Sequence, residues 1–276
     1  MEKNVTLHVL GVRGSNPMAS PEYMEFGGNT SCMVVNTEET AVIFDMGSGI
    51  TNLTRGALRD GINQKKRLDI FFSHVHLDHV IGLFSFSPLF DPEQEIHIYG
   101  EARDGKSFQV QLRTIVGPPY WPVGFDYFPA KIRFHEISAG DEIALPGDTQ
   151  VKTIRGYHPN DSILYRMESG GKSIVYGLDC EINEEMEGRL VGFAKDANIL
   201  IFDAHFLPED FSSFEGWGHA TWEDGARIRK KAGVKKLLLT HYAPQYTDQI
   251  LRDQEAKLQA ADSDSMFAKE GMEIKL

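Results

Sequence analysis

Three histidines and one aspartate occupy positions 74–79 of the sequence. They are His74, His76, Asp78 and His79. Imidazole nitrogens and carboxylate oxygens suit a borderline divalent ion such as zinc, manganese or iron. Four ligands so close in sequence cannot all reach one tetrahedral or five-coordinate ion. The spacing therefore predicts two metal ions that share this cluster with ligands from elsewhere in the chain.

The cluster reads His-x-His-x-Asp-His and follows a short apolar run at 68–72. It resembles the signature of the metallo-β-lactamase-fold hydrolases, in which the same series follows a strand. The resemblance implies three further ligands in the family's order, which are His158, Asp179 and His241. It implies that Asp179 bridges two ions whose other ligands are His74, His76 and His158 for one, and Asp78, His79 and His241 for the other.

Five further motifs resemble one branch of that family, the phosphodiesterase and tRNase Z-like hydrolases. They are Gly-Val-Arg-Gly-Ser at 11–15, Gly-Gly-Asn-Thr-Ser-Cys at 27–32, Pro-Pro-Tyr-Trp-Pro-Val at 118–123, Gly-Trp-Gly-His-Ala-Thr-Trp at 216–222 and Ala-Lys-Glu-Gly-Met-Glu-Ile at 268–274. The resemblance makes His219 a candidate catalytic proton donor. The alternative for His219 is a structural histidine at a helix N-terminus, held against Glu223 or solvent.

Two positions depart from related sequences. Asp-Ala-His-Phe at 203–206 stands where relatives commonly have Asp-Ala-Gln-Tyr, so His205 is a substrate contact, an extra metal contact or a tolerated change, and we favour the last. Flavodiiron relatives carry glutamate where this chain has His76. That difference disfavours a dedicated diiron oxygen site and leaves iron open as the metal.

The segments that could contact a substrate have structural alternatives. Arg13 and Asn29 are candidates for the substrate phosphate, but both lie in glycine-rich turns where a structural role is equally consistent. The aromatic residues between 120 and 128 could form a base-binding pocket, a homodimer contact or a packed core under a loop. The basic run 227–231 favours a solvated helix face over a phosphate site.

Composition narrows the class of partner and compartment. The 276 residues include 28 Lys and Arg against 40 Asp and Glu, a net charge of −12, which argues against a nucleic-acid substrate. Apolar runs are too short for a membrane span, and no signal peptide is recognisable, so we expect the cytoplasm. Cys32 and Cys180 are expected to be buried free thiols.

The elements that must position the cluster alternate along the chain. Strands are predicted over 5–10, 32–36, 41–45, 68–72, 96–99, 132–137, 150–154, 162–167, 173–176, 199–202 and 236–240, and helices over 48–59, 183–194, 221–232 and 249–261. The first three strands are expected to be antiparallel. The pattern predicts a single α/β domain over 1–276, and the resemblance implies a four-layer αββα sandwich with two mixed sheets and flanking helices.

The function predicted from these features is a dinuclear metal-dependent phosphodiesterase for small phosphodiesters or cyclic nucleotides, with zinc as the first choice of metal and manganese or iron as alternatives. Asp78 is expected to orient the attacking hydroxide and His219 to protonate the leaving alkoxide. Three alternatives stay open: hydrolysis of a thioester or lactam, hydrolysis at a tRNA 3′ end, and a non-hydrolytic diiron oxygen or ligand sensor.

Overall fold

A computed structural model describes residues 4–54, 61–62 and 64–276. Two seven-stranded sheets form its centre. The first has the order β14-β1-β2-β3-β4-β5-β6, with β1 Thr6–Gly11, β2 Cys32–Asn36, β3 Ala41–Phe44, β4 Arg67–Phe71, β5 Glu95–Gly100, β6 Lys131–Glu136 and β14 Glu273–Lys275. The second has the order β13-β12-β11-β10-β9-β8-β7, with β7 Glu142–Ala144, β8 Gln150–Gly156, β9 Ser162–Ser169, β10 Lys172–Gly177, β11 Ile199–Asp203, β12 Lys236–Thr240 and β13 Ser265–Phe267.

Both sheets are mixed. Strands β3 to β6 are parallel, as are β10 to β13, and the remaining pairs are antiparallel. The predicted antiparallel opening is confirmed, because β2 pairs antiparallel with both β1 and β3. The residues that follow five of the strands converge at one edge of the sandwich. One of these strands is β4 of the first sheet, and the others, which run in the same direction in the second sheet, are β8, β10, β11 and β12. Ligand sites in parallel sheets lie at this carboxyl end.

The one-turn helix α1 Leu77–Val80 carries Asp78 and His79. Four longer helices flank the sheets, α2 Phe108–Ile115, α3 Glu184–Phe193, α4 Trp222–Ala232 and α5 Asp248–Ala261. Short 3-10 helices span Pro21–Tyr23, Ser48–Thr54, Ile81–Ser85, Ser87–Phe90, Phe125–Tyr127 and Phe211–Ser213. The helix predicted over 48–59 is a 3-10 helix as far as Thr54, and residues 55–59 lie outside the described residues.

Two apolar cores hold the layers together. Phe44 of β3 stacks on Tyr176 of β10 across the sheets, with ring centroids 5.2 Å apart. Leu68 and Ile70 of β4 face the other way and pack in the core that includes Leu112 of α2. Because successive side chains of a strand point to opposite faces, an apolar strand can serve both cores. The predicted four-layer sandwich is confirmed.

Local signals fix the helices beside the strand ends. The Asn183 side chain accepts a hydrogen bond from Met186 N and so caps α3. Thr221 and Asp224 form a capping box at the start of α4. The two predicted starts therefore hold to within one residue, and the box fixes the first turn of α4 immediately after the Gly-His-Ala segment.

Cys32 and Cys180 are both free and buried, as predicted. Within the described part of the chain, no helix is both long enough and apolar enough to cross a bilayer.

Candidate metal centre

All seven ligands implied by the resemblance meet at the shared edge of the sheets. Among the five groups of potential donors that lie within 4.8 Å of one another in the described residues are the two implied sets, the first His74, His76 and His158, the second Asp78, His79 and His241. Asp179 lies between them. Its Oδ1 is 3.8 Å from His158 Nε2 and 3.2 Å from His241 Nε2.

Several of these donors are buried without a hydrogen bond. In the described chain they are Nε2 of His74, His79 and His241, together with Oδ2 of Asp179. Leaving a buried polar atom unsatisfied costs about 1–3 kcal/mol, so four at one point require an explanation. The donors fit a pair of divalent ions, since neutral imidazole nitrogens and carboxylate oxygens are common metal ligands. Bound ions would give each of these buried atoms a partner.

Acceptors on the far side of each ring fix which nitrogen carries the proton. His79 Nδ1 lies 2.7 Å from Asp45 Oδ2, and His158 Nδ1 lies 2.9 Å from the Gly218 carbonyl oxygen. Both partners can only accept, so both Nδ1 atoms donate. The Nε2 lone pairs then point into the centre, as metal-bound histidines require.

Two serines do the same for His74 and His241. Ser73 Oγ donates to Asp45 Oδ2 at 2.7 Å and is thereby left to accept from His74 Nδ1 at 3.0 Å. Ser31 Oγ donates to the Arg13 carbonyl oxygen and lies 2.8 Å from His241 Nδ1. Four histidines thus present Nε2 in the same tautomer.

Two rings at the centre are neutral, whereas the carboxylates around a third favour its charged form. Burial lowers the pKa of His74 and also that of His158, so both rings are neutral. Burial also opposes charge on His79, but Asp179, Asp78 and Asp45 together raise the pKa of this ring above its usual value. The His79 imidazole would therefore release a proton when an ion binds.

The backbone is strained where it presents these groups. Asp45, Asp179 and His241 have φ of 56°, 53° and 68°, in the left-handed region. A non-glycine residue there costs roughly 1–2 kcal/mol, and such strain concentrates at functional sites. Gly14 is needed for space, because a Cβ at this position would lie 2.6 Å from His205 Nδ1 and His241 Nε2.

His219 lies beside the seven ligands and is held by a carboxylate. Its Nδ1 is 2.9 Å from Asp203 Oδ2 and 3.9 Å from Asp179 Oδ1. The structural alternative predicts Glu223 or solvent as the partner of His219, whereas its partner is the buried Asp203 at the end of β11. A histidine whose Nδ1 donates to a buried carboxylate has the arrangement of a general acid or base.

His205 stacks on His219 with ring centroids 4.0 Å apart. Its Nδ1 donates to the His241 carbonyl oxygen at 2.8 Å. Burial and the neighbouring imidazoles lower the pKa of His205 to about 3, so the ring is neutral. It belongs to the wall of the centre, next to the second set of ligands.

Arg13 and Asn29 are engaged within the fold. The Arg13 guanidinium is fully buried and donates to the carbonyl oxygens of Gly27 and Tyr246 at 2.8 and 2.6 Å. Asn29 donates from Nδ2 to Glu270 Oε2 at 3.0 Å. For both residues the structure supports the structural role over a contact with substrate phosphate.

The other two segments also pack or pair within the chain. Of the aromatic residues between 120 and 128, Phe125 and Phe128 are buried and Trp121 stacks on Phe84, whereas Tyr120 and Tyr127 are exposed. In the basic run, Arg227 and Lys231 pair with Glu187, and Arg229 pairs with Asp262. This run is a charge-paired helix face.

Comparison with known proteins places the fold in a family. A model described as the β-lactamase superfamily domain matches residues 41–242, from β3 to just beyond His241. The chain belongs to the metallo-β-lactamase superfamily. The resemblance drawn from the sequence is therefore confirmed, and we describe the chain as a hydrolase of this superfamily.

Ribonuclease Z enzymes are among the relatives found by sequence. A ribonuclease Z of Archaeoglobus fulgidus is 26% identical, with 86% of this chain and 87% of the enzyme covered. A ribonuclease Z of Lactiplantibacillus plantarum is 21% identical, with 88% and 90% covered. They place the hydrolase in the tRNase Z-like branch.

Solved structures share the fold. The metallo-β-lactamase fold protein YhfI from Bacillus subtilis has a TM-score of 0.74 at 19% identity, with 99% of this chain and 100% of that protein covered. A diphosphatase of the PhnP family has a TM-score of 0.70 at 20% identity, with 99% and 98% covered. The short form of human tRNase Z has a TM-score of 0.69 at 21% identity, with 98% of both chains covered.

Sequence reasoning missed Asp45 and Asp203, which hold His79 and His219. Each is an aspartate directly after or at the end of a buried strand, β3 and β11, and that position was the available signal.

Proposed function

We propose that this hydrolase is a dinuclear metal-dependent phosphodiesterase that cleaves small phosphodiesters, cyclic nucleotides among them. One observation carries the proposal. Two sets of ligands, buried except for the half-buried His76, include unpartnered donor atoms and meet at Asp179, beside a histidine that a buried carboxylate holds. This arrangement provides for a nucleophile and for a leaving group in one site.

In the proposal each set of ligands holds one ion. His74, His76 and His158 would hold the first, and Asp78, His79 and His241 would hold the second, with Asp179 available to both. Two divalent ions held in this way would lower the pKa of water at the site and polarise a phosphoryl oxygen. Zinc suits this mixture of nitrogen and oxygen donors, and manganese or iron could replace it.

Asp78 and His219 carry the proton transfers. Asp78 Oδ2 accepts a hydrogen bond from Ser15 N at 2.8 Å, which fixes the carboxylate towards the centre. There it orients the attacking water and takes its proton. His219 donates a proton to the leaving oxygen, and Asp203 stabilises the charged imidazole before that step.

The names of the relatives indicate a larger substrate than a small phosphodiester. Ribonuclease Z enzymes and a human tRNase Z act on RNA by name, so cleavage at an RNA 3′ end is the second candidate function. The charge of the chain favours the small substrate, because the net charge is −12 and the basic run of α4 is paired with acidic side chains.

The test is turnover of bis(4-nitrophenyl) phosphate, cyclic nucleotides and a 3′-extended tRNA by protein loaded separately with Zn²⁺, Mn²⁺ and Fe²⁺. Asp78→Ala serves as the inactive variant. Asp126→Ala is the matched control, because Asp126 is an exposed aspartate that pairs with Arg113 and is not one of the proposed ligands. We expect metal-dependent cleavage of the small diesters by the wild type and the control, and its loss in Asp78→Ala.

Three results would refute the proposal. Efficient cleavage confined to tRNA would favour the second candidate. Turnover of a thioester or lactam with no diester cleavage would move the function to another bond. Two bound ions without turnover of any substrate, and an oxygen-dependent visible spectrum with iron, would favour the sensor.

A further inference from the structure

Glu181 is a buried acidic residue two positions after Asp179, and the mechanism above does not use it. Its Oε2 accepts hydrogen bonds from two backbone N–H groups, those of Gly216 at 2.8 Å and Gly218 at 3.0 Å. A carboxylate that accepts from backbone N–H groups forms charge-assisted bonds, which are stronger than neutral ones. Glu181 thus fastens the loop that leads to His219.

That loop has a backbone only glycine adopts easily. Gly216 and Gly218 have φ of 85° and 86°. Glycine enters this region without a steric penalty but also leaves it freely, so the conformation needs an external constraint. The Glu181 carboxylate binds both glycines and so supplies that constraint.

Gly218 connects the loop to both halves of the site. Its carbonyl oxygen accepts from His158 Nδ1 at 2.9 Å, and a Cβ on Gly218 would lie 2.3 Å from that nitrogen. The next residue is His219, whose ring is held by Asp203. A shift of Gly218 would therefore move the acceptor that sets the His158 tautomer and the backbone that carries the proton donor.

Glu181 also binds the segment on the other side of His158. Its backbone N–H donates to the Tyr157 carbonyl oxygen at 2.9 Å. Glu181, which is 9% exposed, is therefore hydrogen-bonded both to Tyr157, the residue before His158, and to the glycine loop that contacts the His158 ring.

We propose that Glu181 is a positioning residue that sets His158 for an ion and His219 for proton donation through its hold on Gly216 and Gly218. The part that concerns His219 rests on the proposed function. The part that concerns His158 depends on ion binding alone. Removal of the carboxylate should release the loop, weaken binding of one ion and impair protonation of the leaving group together.

Three variants test the role. Glu181→Ala removes the acceptor. Glu181→Gln keeps an oxygen that can accept from both glycines. Glu185→Ala is the matched control, since Glu185 lies on α3, is 82% exposed at its side chain and has Arg189 as an ion-pair partner at 3.9 Å.

Two readouts do not need activity. The first is Zn²⁺ affinity measured in competition with a chromophoric chelator, which Glu181→Ala should weaken roughly 10- to 100-fold for one ion. The second is the imidazole ¹⁵N spectrum of the metal-free protein. The wild type should show His158 as the Nδ1–H tautomer, and Glu181→Ala should show a tautomer mixture.

The third readout separates protonation from general damage. A diester with an alkyl leaving group needs the proton from His219 more than one with a 4-nitrophenyl leaving group does. Glu181→Ala should therefore slow the alkyl substrate by roughly 10-fold or more beyond its effect on the nitrophenyl substrate, within the range of general acid catalysis. Glu181→Gln should stay close to the wild type in all three readouts.

Unchanged ion affinity, His158 signal and leaving-group dependence in a folded Glu181→Ala variant would overturn the proposal. If that variant does not fold, Glu181→Asp replaces it, because its carboxylate is one methylene too short to reach both glycines. An Asp variant identical to the wild type would then overturn the proposal. If the wild type cleaves no diester, the proposed function fails, but ion affinity and the His158 signal still decide the role of Glu181.

Discussion

Replacement of Asp203 by asparagine should both destabilise the fold and slow turnover. The Asp203 carboxylate accepts only from N–H groups. Oδ1 accepts from His205 N at 2.8 Å and Ala220 N at 3.4 Å, and Oδ2 accepts from His219 Nδ1 at 2.9 Å and Asp179 N at 3.0 Å. An asparagine would have to turn its NH₂ group towards two donors in either orientation.

The magnitude follows from those contacts. Each buried N–H group left without an acceptor costs about 1–3 kcal/mol, so two displaced bonds should lower the free energy of unfolding by about 2–6 kcal/mol. The loss of negative charge acts separately on His219, because a neutral amide does not stabilise the protonated ring. Turnover of an alkyl-leaving diester should fall roughly 10²- to 10⁴-fold, the usual contribution of general acid catalysis.

The assay compares this variant with Asp69→Asn. Asp69 is equally buried and accepts from Thr40 Oγ1 at 2.8 Å and Tyr99 Oη at 3.1 Å. It also pairs with the Arg67 guanidinium at 2.7 Å and is not one of the seven ligands. Urea unfolding should show both variants destabilised, and turnover should fall in Asp203→Asn alone. If both variants lose stability and Asp203→Asn keeps the turnover of Asp69→Asn and the wild type, the argument that Asp203 supports the proton donor His219 is refuted.

Three further outcomes are expected. Asp45→Asn should weaken the binding of one ion roughly 10- to 100-fold, because Asp45 fixes His79 Nδ1 at 2.7 Å, and an unchanged affinity in chelator competition would contradict this. Gly218→Ala should lower the melting temperature and the zinc content, since its Cβ would meet His158, whereas Gly216→Ala has a similar φ but open space around its Cβ and should keep both ions. His205→Gln should retain turnover of the wild-type order, because an amide N–H can replace the bond from Nδ1 to the His241 carbonyl oxygen, and a large loss in the steady-state assay would instead show a specific need for the imidazole.

The ligands and the strands could be predicted from the sequence because each signal is local. His74 to His79 are close in sequence, the strands that precede Asp179 and His241 contain short apolar runs, and the strand that precedes His158 alternates apolar and polar residues. Each ligand follows a strand that its apolar residues identify, so its place at a strand end could be predicted from the sequence. The structure brings these residues together, while their binding of ions stays a proposal.

The partners of the ligands could not be predicted, because they are distant in sequence. Asp45 lies 34 residues from His79, and Glu181 lies 37 residues from Gly218. Arg13 illustrates the same limit. Its place in a glycine-rich turn left a substrate contact and a structural role equally consistent, and the acceptor of its buried guanidinium, the Tyr246 carbonyl oxygen, lies 233 residues away. Such contacts depend on how the layers pack, and a local pattern does not contain that information.

The ligands of the first set come from different sheets, since His74 and His76 follow β4 of the first sheet and His158 follows β8 of the second. An ion held there would cross-link two layers that otherwise meet through apolar side chains. Binding to the folded chain alone would stabilise it by about 4 kcal/mol at a free-ion concentration 1,000 times the dissociation constant. Metal supply would then control the lifetime of the protein as well as its turnover, because a chain without ions would open more often to proteases.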